Sequence, residues 1–163
     1  MQLDPVDQIL AQWLRERPDL DVSPMGIIGR MGRLSKHLER AIQVTFSEFG
    51  LTIAEFDVLA ALRRFGQPYQ LSPTELFQTL MVSSGTMTHR IDRLYQAKLV
   101  KRIPDPNDRR GTLIQLTDEG FDVIEKAVEA HVTNEHRVLN ALEQSEREAL
   151  AGLLRKLLIS FEA

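Results

Sequence analysis

The spacing of apolar residues along this chain is helical except in one segment, where it alternates as in β-strands. Apolar positions recur every three or four residues as far as about Ala97, whereas 99–103 and 111–116 alternate as strands do. Turn-forming residues fill 104–108 between these two segments. A β-hairpin is therefore expected here, and helical spacing resumes after Thr117.

Capping residues and apolar spacing predict seven helices around this hairpin. Prolines in the first turn mark the starts of two of them, at Pro5 and Pro24. Capping boxes, in which a Ser or Thr is followed three residues later by Glu, begin three others, at Thr52, Ser72 and Ser145. The predicted ranges are about 5–14, 24–48, 53–66, 73–81, 84–97, 118–141 and 145 onward.

This order of elements indicates the fold class. Two short capped helices followed by an arginine-rich hairpin are typical of a winged helix-turn-helix. We therefore expect a mainly α fold with a small β-hairpin wing, in which 51–117 form a DNA-binding lobe. The helices of 1–48 and 118–163 exceed what such a module needs, so they are expected to have a second purpose. A length of 163 residues fits a single domain that includes all three parts.

Composition excludes several classes of protein. The chain has no cysteine, which excludes disulfides, thiolate metal sites and thiol redox sensing. No apolar run reaches the roughly 18–20 residues of a membrane span, and the N-terminus lacks the features of a signal peptide, so a cytoplasmic protein is expected. The sequence also lacks a Gly-rich phosphate loop, a nucleophile elbow and a zinc-protease motif, so neither an enzymatic activity nor a cofactor is expected.

A possible metal site involves His131, Glu135 and His136, which lie within two turns of one predicted helix. Zinc takes three or four protein ligands, and no other His or Cys is nearby in the sequence. The pattern therefore favours a solvated helical face, with a metal-responsive protein as the alternative.

The distribution of charge points to phosphate binding, although the net charge of the chain is −3. Residues 83–111 carry seven basic and three acidic side chains, a local net charge of +4, whereas 1–21 and 117–163 are acidic. A basic block between acidic ends is the electrostatic footprint of a nucleic-acid-binding surface. A solvated surface patch, or a winged-helix adaptor that binds another protein, is the alternative interpretation.

The basic block begins with a helix that has two distinct faces. Met87, Ile91 and Leu94 form an inward apolar stripe, and the opposite face carries small and polar side chains. Small hydroxyls at a helix start allow close approach to a duplex, and backbone N–H groups there bind phosphate. Candidate DNA-binding residues on this helix are Ser83, Ser84, Thr86, Thr88, His89 and Arg93.

The tip of the hairpin carries two further candidates, Arg109 and Arg110. Arginine is the side chain that enters a narrow, negative minor groove. Asp108 precedes them and would repel phosphates unless it were already paired. Arg93 on the neighbouring helix is the expected partner of Asp108, and this pair would brace the wing.

These segments resemble the MarR family of bacterial transcription regulators from about 51 to 120. The resemblance rests on VSSGTMTHRIDRL, KLVKRIPDPNDRRG and LTDEG, which begin at Val82, Lys98 and Leu116. It implies a homodimer whose terminal helices form the interface and which binds a pseudo-palindromic site in double-stranded DNA as a repressor. It also implies that Asp108 braces Arg93 and that Arg110 enters the minor groove.

Two charged residues remain after DNA binding is assigned. Arg90 lies near the inward side of its helix, where an unpaired guanidinium would be costly. Asp57 is an acid within the otherwise apolar 56–60 of the third predicted helix. A structural salt bridge between Asp57 and Arg90 is one interpretation of this pair.

The other interpretation is a ligand switch. The N-terminal helix with Trp13 resembles that of the urate-responsive, PecS-like branch of the family, which implies that Trp13, Asp57, Arg90 and Arg102 bind urate or a related purine. A planar anion near Trp13 and Arg90 would disturb Asp57 and shift the DNA-reading helix. The alternatives are a phenolic compound or metal as effector, or a purely structural role for Trp13, Asp57 and Arg90.

Overall fold

A computed structural model describes residues 3–80 and 84–162. Within these ranges, the chain forms seven helices and a small three-stranded antiparallel sheet, which confirms the predicted fold class of a mainly α protein with a β-hairpin wing. The chain divides into two compact units, Met1–Ala41 and Ile42–Ala163. The elements are α1 (Pro5–Glu16), α2 (Ser23–Ser47), α3 (Ile53–Phe65), β1 (Gln70–Leu71), α4 (Pro73–Leu80), α5 (Ser84–Gln96), β2 (Val100–Pro104), β3 (Thr112–Leu116), α6 (Asp118–Val138) and α7 (Gln144–Glu162).

Side-chain caps explain why several helices begin where they do. The hydroxyl of Thr52 accepts a hydrogen bond from the N–H of Glu55, whose carboxylate accepts in return from the N–H of Thr52 at 2.8 Å. The same reciprocal pair joins Ser72 and Glu75 ahead of α4. These contacts satisfy N–H groups that have no partner inside the helix. Both predicted capping boxes are confirmed.

The third predicted capping box is wrong by two residues. The N–H of Glu143 donates to the carboxylate of Glu146 at 2.8 Å, and α7 begins at Gln144 rather than after Ser145. The carboxylate of Glu146 lies three residues after Glu143 and satisfies its free N–H, as it would for a serine at that position. The sixth helix also ends earlier than predicted, at Val138. The predicted end of the fourth helix, Met81, lies outside the described residues.

The strands form a sheet in the order β1-β3-β2. β2 and β3 pair as the predicted hairpin, from Val100 opposite Leu116 to Pro104 opposite Thr112. β1 adds Gln70 opposite Gln115 and was not predicted, because two residues are too few to show an alternating pattern. The hairpin is therefore held on one side by a short strand that precedes α4.

The core of the second unit fixes the orientation of α5. The predicted inward stripe of α5 is almost completely buried, and α3 packs against α4, α5 and α6. The largest buried side chains of this core include Phe46, Leu59, Leu62, Leu76, Met87, Leu94, Ile114 and Ile124. Because the stripe is inside, the opposite face of α5 is presented to solvent.

The base of the hairpin is in close contact with the start of α6. Thr117 caps α6 by accepting from the N–H of Gly120 at 2.9 Å, and its hydroxyl donates to the carbonyl of Lys98 at 2.7 Å. A Cβ at Gly120 would lie 1.9 Å from the carbonyl oxygen of Leu99, so only glycine fits there. The base of the wing is therefore packed directly against the first turn of α6.

In the first unit, α1 is held on the N-terminal part of α2 by charge and by packing. Arg30 pairs with Asp4 at 2.7 Å and with Asp7 at 2.6 Å. Val6 is buried, and a Cβ at Gly29 would come within 3.4 Å of its side chain. Much of the apolar surface of this unit remains exposed, including Ile9, Trp13, Leu14, Ile27, Ile28 and Leu34.

Candidate functional site

The outer face of α5 carries the predicted polar side chains. Thr86, Thr88 and His89 are exposed, as is Arg93, which retains 56% of its side-chain exposure. Ser84 begins the helix, and Ser83 lies outside the described residues. A helix that turns small hydroxyls, an imidazole and a guanidinium to solvent has the composition of a surface that contacts nucleic acid.

Arg93 is held by a residue that the sequence analysis treated only as a helix cap. Its Nε lies 2.7 Å from Oε1 of Glu55, which is only 5% exposed. The other carboxylate oxygen of Glu55 accepts from both the N–H and the hydroxyl of Thr52 at 2.8 Å. A buried carboxylate needs such partners to offset its lost hydration. Glu55 therefore both begins α3 and positions Arg93 on α5.

The predicted pair between Asp108 and Arg93 is wrong for this structure. Arg93 pairs with Glu55, which is already buried beside α5, and no ion pair joins it to Asp108. The carboxylate of Asp108 accepts instead from the N–H of Arg110 at 2.9 Å, and its carbonyl accepts from the N–H of Gly111. Asp108 thus shapes the turn at the wing tip rather than bracing the wing on α5.

The wing tip leaves its two arginines free to contact a partner. Asp105 accepts from the N–H of Asn107 at 2.8 Å and donates its own N–H to the carbonyl of Gly111 at 3.1 Å. These bonds close a compact turn from which Arg109 and Arg110 project into solvent. Within the part of the chain that the structure describes, neither guanidinium has an ion-pair partner. Their charge is available for phosphate.

Asp57 and Arg90 lie near each other but do not form the salt bridge of the structural interpretation. The side chain of Asp57 is half-buried and makes no hydrogen bond or ion pair with any described residue. Nη1 of Arg90 is buried and also lacks a hydrogen-bond partner among the described residues. Burial raises the pKa of Asp57 above its ordinary 3.8, while the charges of Arg90, Arg64 and His131 act in the opposite direction. The ionised carboxylate is therefore held at a net cost.

His131 on α6 is a neighbour of Asp57 that the sequence analysis did not place there. Its ring lies 5.0 Å from that of Phe46 and 5.2 Å from that of Phe56, measured between centroids. Its Nε2 is 3.2 Å from the carboxylate of Glu135, while its Nδ1 is buried and lacks a partner. The only sequence signal was the spacing of His131 and Glu135, which had suggested a metal. Among residues 3–80 and 84–162, no three side chains converge as a metal site requires.

Arg102 does not join Asp57 and Arg90. It forms an ion pair with Asp92 and lies 5.2 Å from the ring centroid of Tyr95. Asp92 and Arg90 are two residues apart, a separation of about 200° around the helix. Arg102, which pairs with Asp92, and Arg90 therefore lie on different faces of α5. Arg102 instead lines a pocket of about 230 Å³ together with Pro73, Thr88, Ile91, Thr112 and Ile114.

Trp13, the fourth predicted ligand residue, lies in the first unit on α1. Its side chain is 43% exposed, and its carbonyl accepts from the N–H of Arg17 at 2.7 Å. An indole that is nearly half exposed offers a face on which a planar ring can stack.

None of the described helices combines the length and the apolar character of a membrane span.

Comparison with known proteins relates this chain to transcription regulators. A model of the MarR family matches residues 49–111. The transcriptional regulator PecS of Dickeya dadantii is 47% identical over 149 residues, which cover 91% of this chain and 90% of PecS.

Two solved structures extend the likeness to the fold. A MarR mutant from Escherichia coli, in complex with operator DNA, matches with a TM-score of 0.72 and 30% identity, over 83% of this chain and 94% of that one. BpsR of Bordetella bronchiseptica, whose DNA binding is regulated by 6-hydroxynicotinic acid, matches with a TM-score of 0.70 and 30% identity, over 79% and 90%.

Replacing Asp57 by Asn is expected to raise the free energy of unfolding at pH 7. In the folded protein the pKa of Asp57 is raised by burial, so ionisation destabilises the fold once the pH exceeds the ordinary value of 3.8. Below that value the carboxyl is protonated in both states, and the gain should disappear. Urea unfolding of both proteins, from pH 7 downward, measures the difference.

Asp19→Asn is the matched control, because Arg17 lowers the pKa of this exposed carboxyl and the substitution should bring no gain. A smaller free energy of unfolding for Asp57→Asn at pH 7 would contradict the dominance of burial over the neighbouring cations.

Proposed function

The chain belongs to the MarR family of transcriptional regulators, and we propose that it binds a pseudo-palindromic operator as a homodimeric repressor and is released by a small anionic ligand. The observation that carries DNA binding is the exposed polar face of α5, together with two exposed arginines at the wing tip that have no ion-pair partner among the described residues. In a winged helix of this type the recognition helix enters the major groove and the wing approaches the minor groove. Similarity to a MarR protein solved on operator DNA supports the same arrangement here.

In this proposal the residues of the DNA surface have three roles. Thr86, Thr88 and His89 on α5 contact base edges or phosphates, as do the serine hydroxyls at the start of the helix. Arg93 approaches the duplex in an orientation that Glu55 has already set. Arg109 and Arg110 neutralise phosphates beside the minor groove, and Arg110 enters it.

The exposed apolar surface of α7 supports the homodimer. α7 has no buried residue, and Leu150, Leu153, Leu154, Leu157 and Leu158 are all exposed. These five leucines lie on one face of the helix. Soluble monomers rarely expose a continuous apolar surface of this kind, and a second copy with the same face would cover it. A two-fold symmetric dimer also matches two half-sites in DNA, about 34 Å apart.

The effector proposal rests on Arg90 and Asp57. Arg90 has a buried donor without a partner, and Asp57 is an acid held ionised at a cost, so an anion that binds Arg90 replaces an unfavourable arrangement. We assign Trp13 to the same ligand on the resemblance of its helix to the PecS-like branch, and the identity with PecS supports this assignment. Urate or a related purine offers a planar ring for Trp13 and a negative charge for Arg90.

Release follows because Arg90 is part of the helix that reads DNA. A ligand that draws the guanidinium of Arg90 toward itself favours one position of α5, and DNA favours another. Ligand and operator then bias the same two-state element in opposite directions.

A phenolic carboxylate is the second candidate effector. The pocket beside Arg102 has a volume of about 230 Å³ and is lined by apolar side chains together with Thr88, Thr112 and Arg102. An arginine and a hydroxyl in a small apolar pocket suit an aromatic ring that carries a carboxylate.

Arg110→Ala is expected to weaken operator binding by the dimer by about 2 kcal/mol, roughly thirtyfold, and to reduce the salt slope of log K by about 1.8. The reason is the loss of one phosphate-neutralising charge at each of the two wing tips of the dimer. Fluorescence anisotropy at several salt concentrations measures both quantities. Arg15→Ala, which removes an exposed arginine of α1 that pairs with Glu16, is the control and should change neither. Unchanged affinity in Arg110→Ala would refute the role of the wing.

The double variant Leu153→Glu and Leu157→Glu is expected to sediment as a monomer, whereas the unmodified chain sediments as a dimer. Two carboxylates in an apolar interface would have to be desolvated without partners. Gly152→Glu places the same charge on the opposite face of α7, where nothing lies within 4 Å, and should remain dimeric. A dimeric double variant would locate the interface elsewhere.

Urate or xanthine is expected to release the protein from a duplex taken from its own upstream region in a gel-shift titration, and salicylate serves as the phenolic comparison. Trp13→Phe and Arg90→Ala should bind DNA and remain folded, but lose release by purines. If only salicylate releases the protein, and Arg102→Ala abolishes that release, the second candidate is correct. If no purine releases it, the roles of Trp13 and Arg90 in sensing are refuted.

A further inference from the structure

Asp92 is an acid on the DNA-reading helix, within the basic block of 83–111. Its side chain is 53% exposed, so its charge would repel phosphates if it were free. The other two acids of this block, Asp105 and Asp108, shape the turn at the wing tip by accepting backbone hydrogen bonds. Asp92 instead pairs with Arg102 on β2, which indicates a role between the helix and the wing.

The contact between Arg102 and α5 has two parts. Nη2 of Arg102 donates to Oδ1 of Asp92, and the central carbon of its guanidinium lies 5.2 Å from the ring centroid of Tyr95. Asp92 and Tyr95 are three residues apart, so they lie on the same side of α5. A guanidinium held by both a carboxylate and an aromatic face has less freedom of orientation than one in a simple surface ion pair. The two contacts therefore join one point of β2 to one side of α5.

Arg102 lies in the middle of a strand at the edge of the sheet. Among the described residues the strand order is β1-β3-β2, so β2 has a neighbouring strand on one side only. Arg102 is opposite Ile114 and two residues before Pro104, where the strand ends. It is thus placed between the base of the hairpin, which is packed against α6, and the tip that carries Arg109 and Arg110.

A cavity lies between α5 and the wing beside this contact. It has a volume of about 230 Å³ and is lined by one residue of α4, two of α5, one of β2 and two of β3: Pro73, Thr88, Ile91, Arg102, Thr112 and Ile114. A close-packed interface resists relative motion, whereas an unfilled space allows a hairpin to change its angle. The contact of Arg102 with α5 is therefore located where apolar packing leaves the angle of the wing open.

We propose that Arg102 is a positioning residue for operator binding, which braces the wing on the DNA-reading helix through Asp92 and Tyr95. The inference rests on the function proposed above and deepens it, because the brace sets where the tip arginines meet the minor groove while α5 lies in the major groove. It fills the role that the sequence had assigned to Asp108 and Arg93. Since an exposed ion pair contributes little to the stability of a fold, this one acts on the position of the wing rather than on global unfolding.

Asp92→Asn removes the brace and leaves the positive charge of Arg102 in place. Charge alone would make this variant bind the operator more tightly, because an acid is lost from the DNA-facing surface. Loss of the brace predicts the opposite sign, a weakening of roughly threefold per wing and so roughly tenfold for the dimer, because each wing must then be ordered on binding. Asp92→Glu keeps a carboxylate within reach of Arg102 and should bind within about threefold of the unmodified chain. Fluorescence anisotropy with a duplex from the protein's own upstream region measures all three.

Combination with Arg110→Ala separates positioning from general damage. This substitution should weaken binding roughly thirtyfold in the unmodified chain, but tenfold or less in the Asp92→Asn background. The reason is that an unbraced wing already contributes less to the complex.

Hydrogen exchange of the free full chain tests the brace without DNA. In Asp92→Asn, the amides of 102–113 should exchange roughly threefold faster, while those of α3 should be unchanged. Glu16→Gln breaks an exposed ion pair with Arg15 on α1 and is the matched control, which should alter neither exchange nor operator affinity.

Tighter operator binding by Asp92→Asn would overturn the inference, as would an equal loss in Asp92→Glu and Asp92→Asn. Additive losses with Arg110→Ala would show that the pair does not position the tip. Unchanged exchange of the hairpin would overturn the brace while DNA binding stands. If the unmodified chain does not bind the duplex, the proposed function fails, and the role of Arg102 in operator binding fails with it even where the hairpin exchanges faster.

Discussion

A single buried carboxylate, that of Glu55, connects the start of α3 to the DNA-reading helix. One of its oxygens holds Arg93 and the other satisfies the backbone and hydroxyl of Thr52. The carboxylate is buried, and the two sets of contacts together offset the cost of desolvating its charge. Because α3 also carries Asp57, the helix that begins at this cap connects the residue that positions Arg93 with the residue proposed to sense a ligand beside Arg90.

The helical period of α5 places its side chains on three different sides of the helix. Met87, Ile91 and Leu94 attach it to the core, which fixes its rotation about its own axis. Arg93 then points toward Glu55, and Arg90 toward the surroundings of Asp57. Under the proposed mechanism, a displacement of α5 by the ligand would therefore also move Arg93, because the same helix carries both arginines.

Local interactions made most of the fold predictable from sequence. Thr52 and Ser72 are caps whose partners lie three residues away, and the stripe of α5 follows from its period alone. The hairpin was predictable because its strands are adjacent in the chain, whereas β1 was too short to produce a pattern.

The site was predictable only in part, because its contacts join distant segments. The sequence predicted Asp108 as the partner of Arg93, whereas in the structure Arg93 pairs with the buried Glu55. Arg102 was grouped with Arg90 by resemblance, although Asp92 holds it on another side of α5. The approach of α6 to Asp57 depends on how α6 packs on α3, and no spacing in the sequence indicates that His131 lies there.

The difference between Arg93 and Arg110 has a consequence for the thermodynamics of association. An arginine side chain carries about 2 kcal/mol of rotamer entropy, and Arg93 has already lost part of it in pairing with Glu55 during folding. Arg110 has no ion-pair partner among the described residues, so it surrenders that freedom only when it meets DNA. In the proposed complex, Arg93 is thus preorganised and would contribute at low entropic cost, whereas Arg110 would adapt to a groove whose width varies with sequence. On that proposal, the helix supplies rigid recognition and the wing supplies adaptable recognition.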